Sequence, residues 1–219
     1  QKAYQAEPSA IGPGLLALEL LGKNVPGALN LLKQSLSKVA QPELRLSLIQ
    51  WQLENKLYTA ALGQLQDMTQ SQPKVPQAWL MLGLLHVDEN RLEAAEVALK
   101  RYLGLVQDQP NPPQRGLAQA HLGLAQVADK RLDEPAAQAW LQKVDHPDFV
   151  LQAQSRRAQS LARQGKLAEA RSLIQNLPVE NANQARGKLL AEVKLLRDNK
   201  QFSPAHDLLS MAVLRDPQE

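Results

Sequence analysis

Trp79-Leu80-Met81-Leu82-Gly83-Leu84-Leu85-His86, then Asp88-Glu89-Asn90, then Leu92-Glu93-Ala94-Ala95 through Leu99 is the stretch whose reading decides the fold. Two apolar-periodic segments, each carrying a small residue, are separated by a short polar turn, which predicts a helical hairpin. The second half of that stretch recurs along the chain. Its counterparts are Val25-Pro26-Gly27-Ala28, Leu57-Tyr58-Thr59-Ala60-Ala61, Leu132-Asp133-Glu134-Pro135-Ala136, Leu167-Ala168-Glu169-Ala170 and Phe202-Ser203-Pro204-Ala205. With Ala28, Ala61, Ala95, Ala136, Ala170 and Ala205 as anchors, the intervals are 33, 34, 41, 34 and 35 residues. A period near 34 marks stacked hairpins, each too small to bury its own apolar face. Function in such a stack is expected on a long surface rather than in a catalytic pocket.

Composition agrees with an all-α chain. The 219 residues are 44% hydrophobic, enough for a sizeable core and against disorder. Leu, Ala and Gln favour helix, and no run of Val, Ile and Thr has strand spacing. The net charge of +3 is weaker than expected of a dedicated nucleic-acid binder. Without cysteine there are no disulfides and no thiolate metal sites. No run of 18 apolar residues is present. The opening Gln1-Lys2-Ala3-Tyr4 is neither an initiator Met nor a signal peptide, so a removed leader or an excised piece is expected.

Numbering the repeat so that Trp79 is position four puts Leu82 and Gly83 at seven and eight, Ala95 at twenty and Leu99 at twenty-four. The last repeat supplies Phe202, Ala205, Leu209, Ala212 and Pro217 at 17, 20, 24, 27 and 32. This pattern resembles the tetratricopeptide repeat (TPR). The resemblance implies a right-handed α-solenoid of about six hairpins, over roughly residues 9–41, 42–75, 76–109, 116–147, 151–185 and 186–219. Residues 1–8 are expected to end a preceding repeat, since Ala3 and Pro8 are spaced like positions 27 and 32. Gly or Asn in the turns suits the left-handed cap of the first helix, and Pro42, Pro76, Pro147 and Pro178 punctuate the repeat boundaries. Large residues at position twenty-four (Leu32, Leu65, Leu99, Trp140, Ile174, Leu209) are expected to fill the space between hairpins. Gly12-Pro13-Gly14 predicts an irregular first hairpin. The 41-residue interval carries Gln107-Asp108-Gln109-Pro110-Asn111-Pro112-Pro113, an extended connector over 107–115. It is either a tolerated insertion or a break between two sub-arrays.

No catalytic, cofactor or metal signature is present, so the chain is expected not to be an enzyme. His86, His121, His146 and His206 stand in no ligand spacing, and Asp88-Glu89 and Asp133-Glu134 suit turns and helix starts. What remains is the concave face, which the resemblance assigns to positions 2, 5, 6, 9, 12 and 13 of each first helix. The third repeat supplies Leu80, Met81, Leu84 and Val87 there, and the fourth supplies Leu117, His121 and Leu124. The fifth supplies Arg156 and Arg163, and the sixth Lys194 and Arg197. The face thus turns from apolar to basic, and its cations suit carboxylates or a chain terminus. The competing reading is core packing for the apolar part and a solvated face for the basic part. The Lys and Asn residues by which chaperone-binding members clamp two carboxylates are absent: Pro13, Ala17 and Ser47 stand there instead.

Ala139-Trp140-Leu141-Gln142-Lys143-Val144, Leu161-Ala162-Arg163-Gln164-Gly165-Lys166-Leu167-Ala168-Glu169-Ala170-Arg171 and Lys188-Leu189-Leu190-Ala191-Glu192 carry a narrower resemblance over residues 116 to 217. It is to TPR proteins of proteobacterial envelopes, among them the lipoprotein adaptor of a carboxyl-terminal processing protease. It implies a place in the periplasm or at the outer membrane, a periplasmic protease and its substrates as partners, and a membrane link only through an anchor outside these residues. No lipobox cysteine is present. The expected function is therefore a non-enzymatic scaffold or adaptor that binds a protein or an extended peptide in its groove. The alternative is a helical-repeat nucleic-acid binder, against which the small charge and sparse aromatics argue; a cytoplasmic location stays open beside the envelope.

Overall fold

The structure, a computed structural model, describes residues 11–23, 25–38 and 41–215. The expected repeat end at residues 1–8 lies outside these. The described residues form twelve α-helices and no strand: α1 (Ile11–Gly22), α2 (Ala28–Lys38), α3 (Pro42–Glu54), α4 (Tyr58–Ser71), α5 (Pro76–Asp88), α6 (Leu92–Val106), α7 (Gln114–Lys130), α8 (Glu134–Leu141), α9 (Pro147–Arg163), α10 (Leu167–Gln175), α11 (Ala182–Asp198) and α12 (Phe202–Arg215). They pair as six consecutive hairpins, so the all-α helical-repeat reading holds. The chain divides into two compact units between Val106 and Gln107, where the Pro-rich connector begins.

Many of the helices begin and end for local reasons. Pro42, Pro76 and Pro147 occupy the first position of α3, α5 and α9, where a missing N–H costs nothing. Asp133 caps α8 by accepting from the Ala136 N–H at 3.1 Å, and Asn181 caps α11 by accepting from that of Gln184 at 2.9 Å. The first helix of five hairpins stops in the same way. Lys56, Asn90, Leu132, Gly165 and Lys200 adopt positive φ, and the next N–H reaches back to a carbonyl five residues earlier. Those bonds run from Leu57 to Gln52, Arg91 to His86, Asp133 to Ala128, Lys166 to Leu161 and Gln201 to Leu196, at 2.8–2.9 Å. This is the Schellman termination, which satisfies the last carbonyls and reverses the chain into the second helix.

Packing follows the repeat. In the first unit, Ile49, Ala61, Leu65, Met68, Ala78, Met81, Leu82, Leu85 and Ala98 form one core across α3 to α6, beside a second core of Ala17, Leu21, Ala28, Leu32, Leu44 and Leu48. In the second unit, Ala118, Leu122, Ala125, Leu141, Val144 and Ala153 join α7, α8 and α9, and Ala158, Ala162, Ala170, Ile174 and Leu195 join α9, α10 and α11. Each fully buried leucine contributes about 1.5–3 kcal/mol relative to exposure. Within each unit the hairpins are therefore held by contacts with their neighbours rather than by any one of them.

The fourth hairpin corrects the expected register. In the other four turns the buried small residue lies five positions after the positive-φ residue: Ala61, Ala95, Ala170 and Ala205. The same count from Leu132 reaches Ala137, which is 1% exposed, not Ala136. The large residue four further on is then Leu141, also 1% exposed, rather than Trp140. Trp140 is half-buried instead and stacks on His121, ring centroids 5.8 Å apart, with the Lys143 ammonium 4.3 Å from the indole centroid.

Candidate functional site

The corrected register and the burial pattern re-sort the expected groove residues. Leu80, Val87 and Leu124 are at most 3% exposed, and Met81 lies in the core of the first unit. These four are packing residues and offer no area to a ligand. Leu84, Leu117 and His121 are half-buried. Core packing thus accounts for Leu80, Met81, Val87 and Leu124, while Leu84, Leu117 and His121 keep part of their surface. Lys194 and Arg197 are exposed on α11, with no ion-pair partner among the described residues.

Arg156 and Arg163 meet in one place. Both lie on α9 and line a cleft of about 550 Å3 within the second unit. Its opposite wall is the end of α7, the turn and α8: Asp129, Leu132, Glu134, Gln138 and Leu141. Neither arginine is unpaired. Arg156 Nη2 lies 3.9 Å from Asp129 Oδ2, and Arg163 Nη2 lies 3.3 Å and 3.4 Å from the two Glu134 oxygens. Ser160, 2% exposed, donates its hydroxyl to the same Glu134 carboxylate. The side-chain amides of Gln138 and Gln159 line the cleft without a hydrogen-bond partner among the described residues.

Glu134, Asp129, Ser160, Gln138 and Leu132 were not legible as site residues. Leu132-Asp133-Glu134 reads like Leu92-Glu93 or Leu167-Ala168, the ordinary opening of a second helix. The adjacent alanines Ala136 and Ala137 allow two registers, and only the second puts Leu132 in the turn. There it has φ +61° and is 91% exposed, where Lys, Asn or Gly stands in the other turns.

His86 and His121 do not belong to the cleft. The His86 ring is buried in α5, its Nδ1 3.8 Å from Glu89, too far for a hydrogen bond. Burial, and next the Arg91 charge, hold its pKa below the usual 6.5, against an opposing pull from Glu89. Burial, and next the Lys143 charge, do the same at His121. Both rings take up protons less readily in the fold than in an unfolded chain, which protonates them below pH 6.5. Their contribution to stability is full above 6.5 and is lost as pH falls from there through the depressed folded values. Urea midpoints are expected to be lower at pH 5.5 than at 7.5. The His86→Gln, His121→Gln double variant is expected to flatten that difference.

No family model matches the chain, and no curated protein matches its sequence. Solved structures do match its fold. A protein solved in the functional characterization of Pseudomonas aeruginosa pilF superposes with a TM-score of 0.64 at 14% identity, over 95% of this chain and 92% of that one. A TPR protein from Parabacteroides merdae gives 0.58 at 16% identity, over 95% and 88%. YrrB, described as a TPR protein with an unusual peptide-binding site, gives 0.55 at 14% identity, over 85% and 93%. The fold is thus that of tetratricopeptide-repeat proteins.

Proposed function

We propose that this chain is a non-enzymatic scaffold that binds a protein segment or an extended peptide in the cleft between α7–α8 and α9. The observation that carries the reading is the lining of that cleft: two arginines and two unpaired glutamine amides on packed helices, and an exposed leucine in the turn between α7 and α8. Unpaired amides suit the N–H and C=O groups of an extended main chain, and guanidinium groups suit carboxylates. A rigid stack holds these groups in place before binding, which lowers the ordering cost. The peptide-binding site described for YrrB, a protein of the same fold, supports this use. Asp129 and Glu134 interleave with the arginines, so the cleft offers no continuous basic stripe for a phosphate backbone, which disfavours nucleic acid. The resemblance over residues 116 to 217 supports a setting in the bacterial envelope, with a periplasmic protease and its substrates as partners.

The test is a selection of peptides from a random display library on the purified chain. Selected peptides are expected to bind the Arg156→Glu, Arg163→Glu double variant at least tenfold more weakly, while Lys194→Glu with Arg197→Glu changes little. Equal binding to the first double variant, with its helix content intact, overturns the cleft assignment.

A further inference from the structure

The cleft already holds a carboxylate. Glu134 stands at the first position of α8, beside its cap Asp133, where it could remain in water near the helix N-terminus. Instead it crosses to α9 and takes the Ser160 hydroxyl and the Arg163 guanidinium. Ser160 is almost fully buried; its hydroxyl donates to Glu134 and accepts from the Gln164 side-chain amide at 3.5 Å. The Arg163 contacts, at 3.3 Å and 3.4 Å, are longer than those of a tight charge-assisted pair. Side-chain exposures of 65% and 43% keep the pair in contact with water, so exchanging its acid for another costs little.

Leu132 is the second anomaly. A branched side chain at positive φ is strained, and at 91% exposure it recovers nothing by burial. The equivalent turns adopt positive φ as well, with Lys56, Asn90, Gly165 and Lys200, so what sets Leu132 apart is an apolar side chain left in water. A residue that violates both backbone and solvation preferences at the rim of a cleft signals a surface that is completed by something else.

We infer that the cleft receives an extended peptide bearing an apolar residue beside an acidic one, the acid displacing Glu134 from Ser160 and Arg163 and the apolar side chain covering Leu132. The inference rests on the scaffold reading of this cleft and names the ligand class. Glu134 is then an internal competitor that sets a threshold for binding. A basic peptide is disfavoured, because any cation reaching Asp129 or Glu134 meets Arg156 and Arg163 beside them.

Three fluorescein-labelled octapeptide libraries test it, with central leucine–glutamate, leucine–glutamine or leucine–lysine and Ala, Gly or Ser elsewhere. Fluorescence anisotropy with the whole chain is expected to rank leucine–glutamate at least fivefold above the other two. Glu134→Gln keeps an oxygen for Ser160 but removes the competing charge. It is expected to tighten leucine–glutamate three- to tenfold and leave leucine–glutamine unchanged. Leu132→Asn is expected to raise the thermal midpoint while weakening leucine–glutamate, a combination that a purely structural leucine would not give. Equal affinity for glutamine or lysine centres, no binding of leucine–glutamate by either form, or weaker binding by Glu134→Gln overturns the inference. If neutral peptides still require Arg156 and Arg163, the scaffold reading stands and only the ligand class falls.

Discussion

Gly83→Ala is expected to destabilise the first unit by about 2–3 kcal/mol, an overpacking cost at a helix crossing. A methyl group on Gly83 would lie 2.6 Å and 2.7 Å from Leu99 Cγ and Cδ2, and 3.1 Å from the Leu99 backbone N. The leucine is fully buried and has nowhere to turn, and the backbone contact remains even if it does. α5 and α6 would have to separate, opening the core between them. In an isolated helix the same change is favourable by about 1 kcal/mol, so the sign itself is diagnostic. Gly104→Ala in α6 is the control: its new methyl meets nothing within 4 Å, and a gain of about 0.5–1 kcal/mol is expected. Urea unfolding followed by circular dichroism reads both. A neutral or stabilising Gly83→Ala would show that these helices do not approach so closely.

Glu192→Ala is expected to destabilise the second unit by about 2–3 kcal/mol, through the loss of charged hydrogen bonds at a mostly buried site. The Glu192 side chain, only 9% exposed, accepts from Arg171 Nε at 3.0 Å, Arg171 Nη2 at 2.8 Å and Gln175 Nε2 at 2.6 Å. It ties α10 to α11, so its removal weakens the junction of the fifth and sixth hairpins. The Arg171 side chain keeps 34% exposure, and water limits the cost of leaving it unpaired. Arg171→Leu combined with Glu192→Leu is expected to recover most of the loss, because no charge is then stranded. If the double variant is as unstable as Glu192→Ala, the charged hydrogen bonds themselves, rather than the stranding of one charge, account for the loss. The same urea titration compares the variants.

Much of the architecture was legible because it rests on local rules repeated six times. The polar turns around Lys56, Asn90, Gly165 and Lys200 and the buried Ala61, Ala95, Ala170 and Ala205 follow from spacing alone. Helix starts at Pro42, Pro76 and Pro147 followed as well. The fourth repeat was misplaced because two adjacent alanines satisfy the pattern equally, and no local preference separates them. Arg156 and Arg163 line a real cleft, but Leu80, Met81, Val87 and Leu124 are core, since a periodic apolar position looks the same whether a helix or a ligand covers it.

The sequence by itself determined that this chain is a run of helical hairpins and where most of them turn, since helix period, caps and small residues are properties of short segments. Only the tertiary structure decided which surfaces remain for a partner. Exposure and ion pairing depend on what the neighbouring hairpin covers, and so Glu134 with Arg163, and Leu132 in the open, emerged only when α8 and α9 were placed side by side.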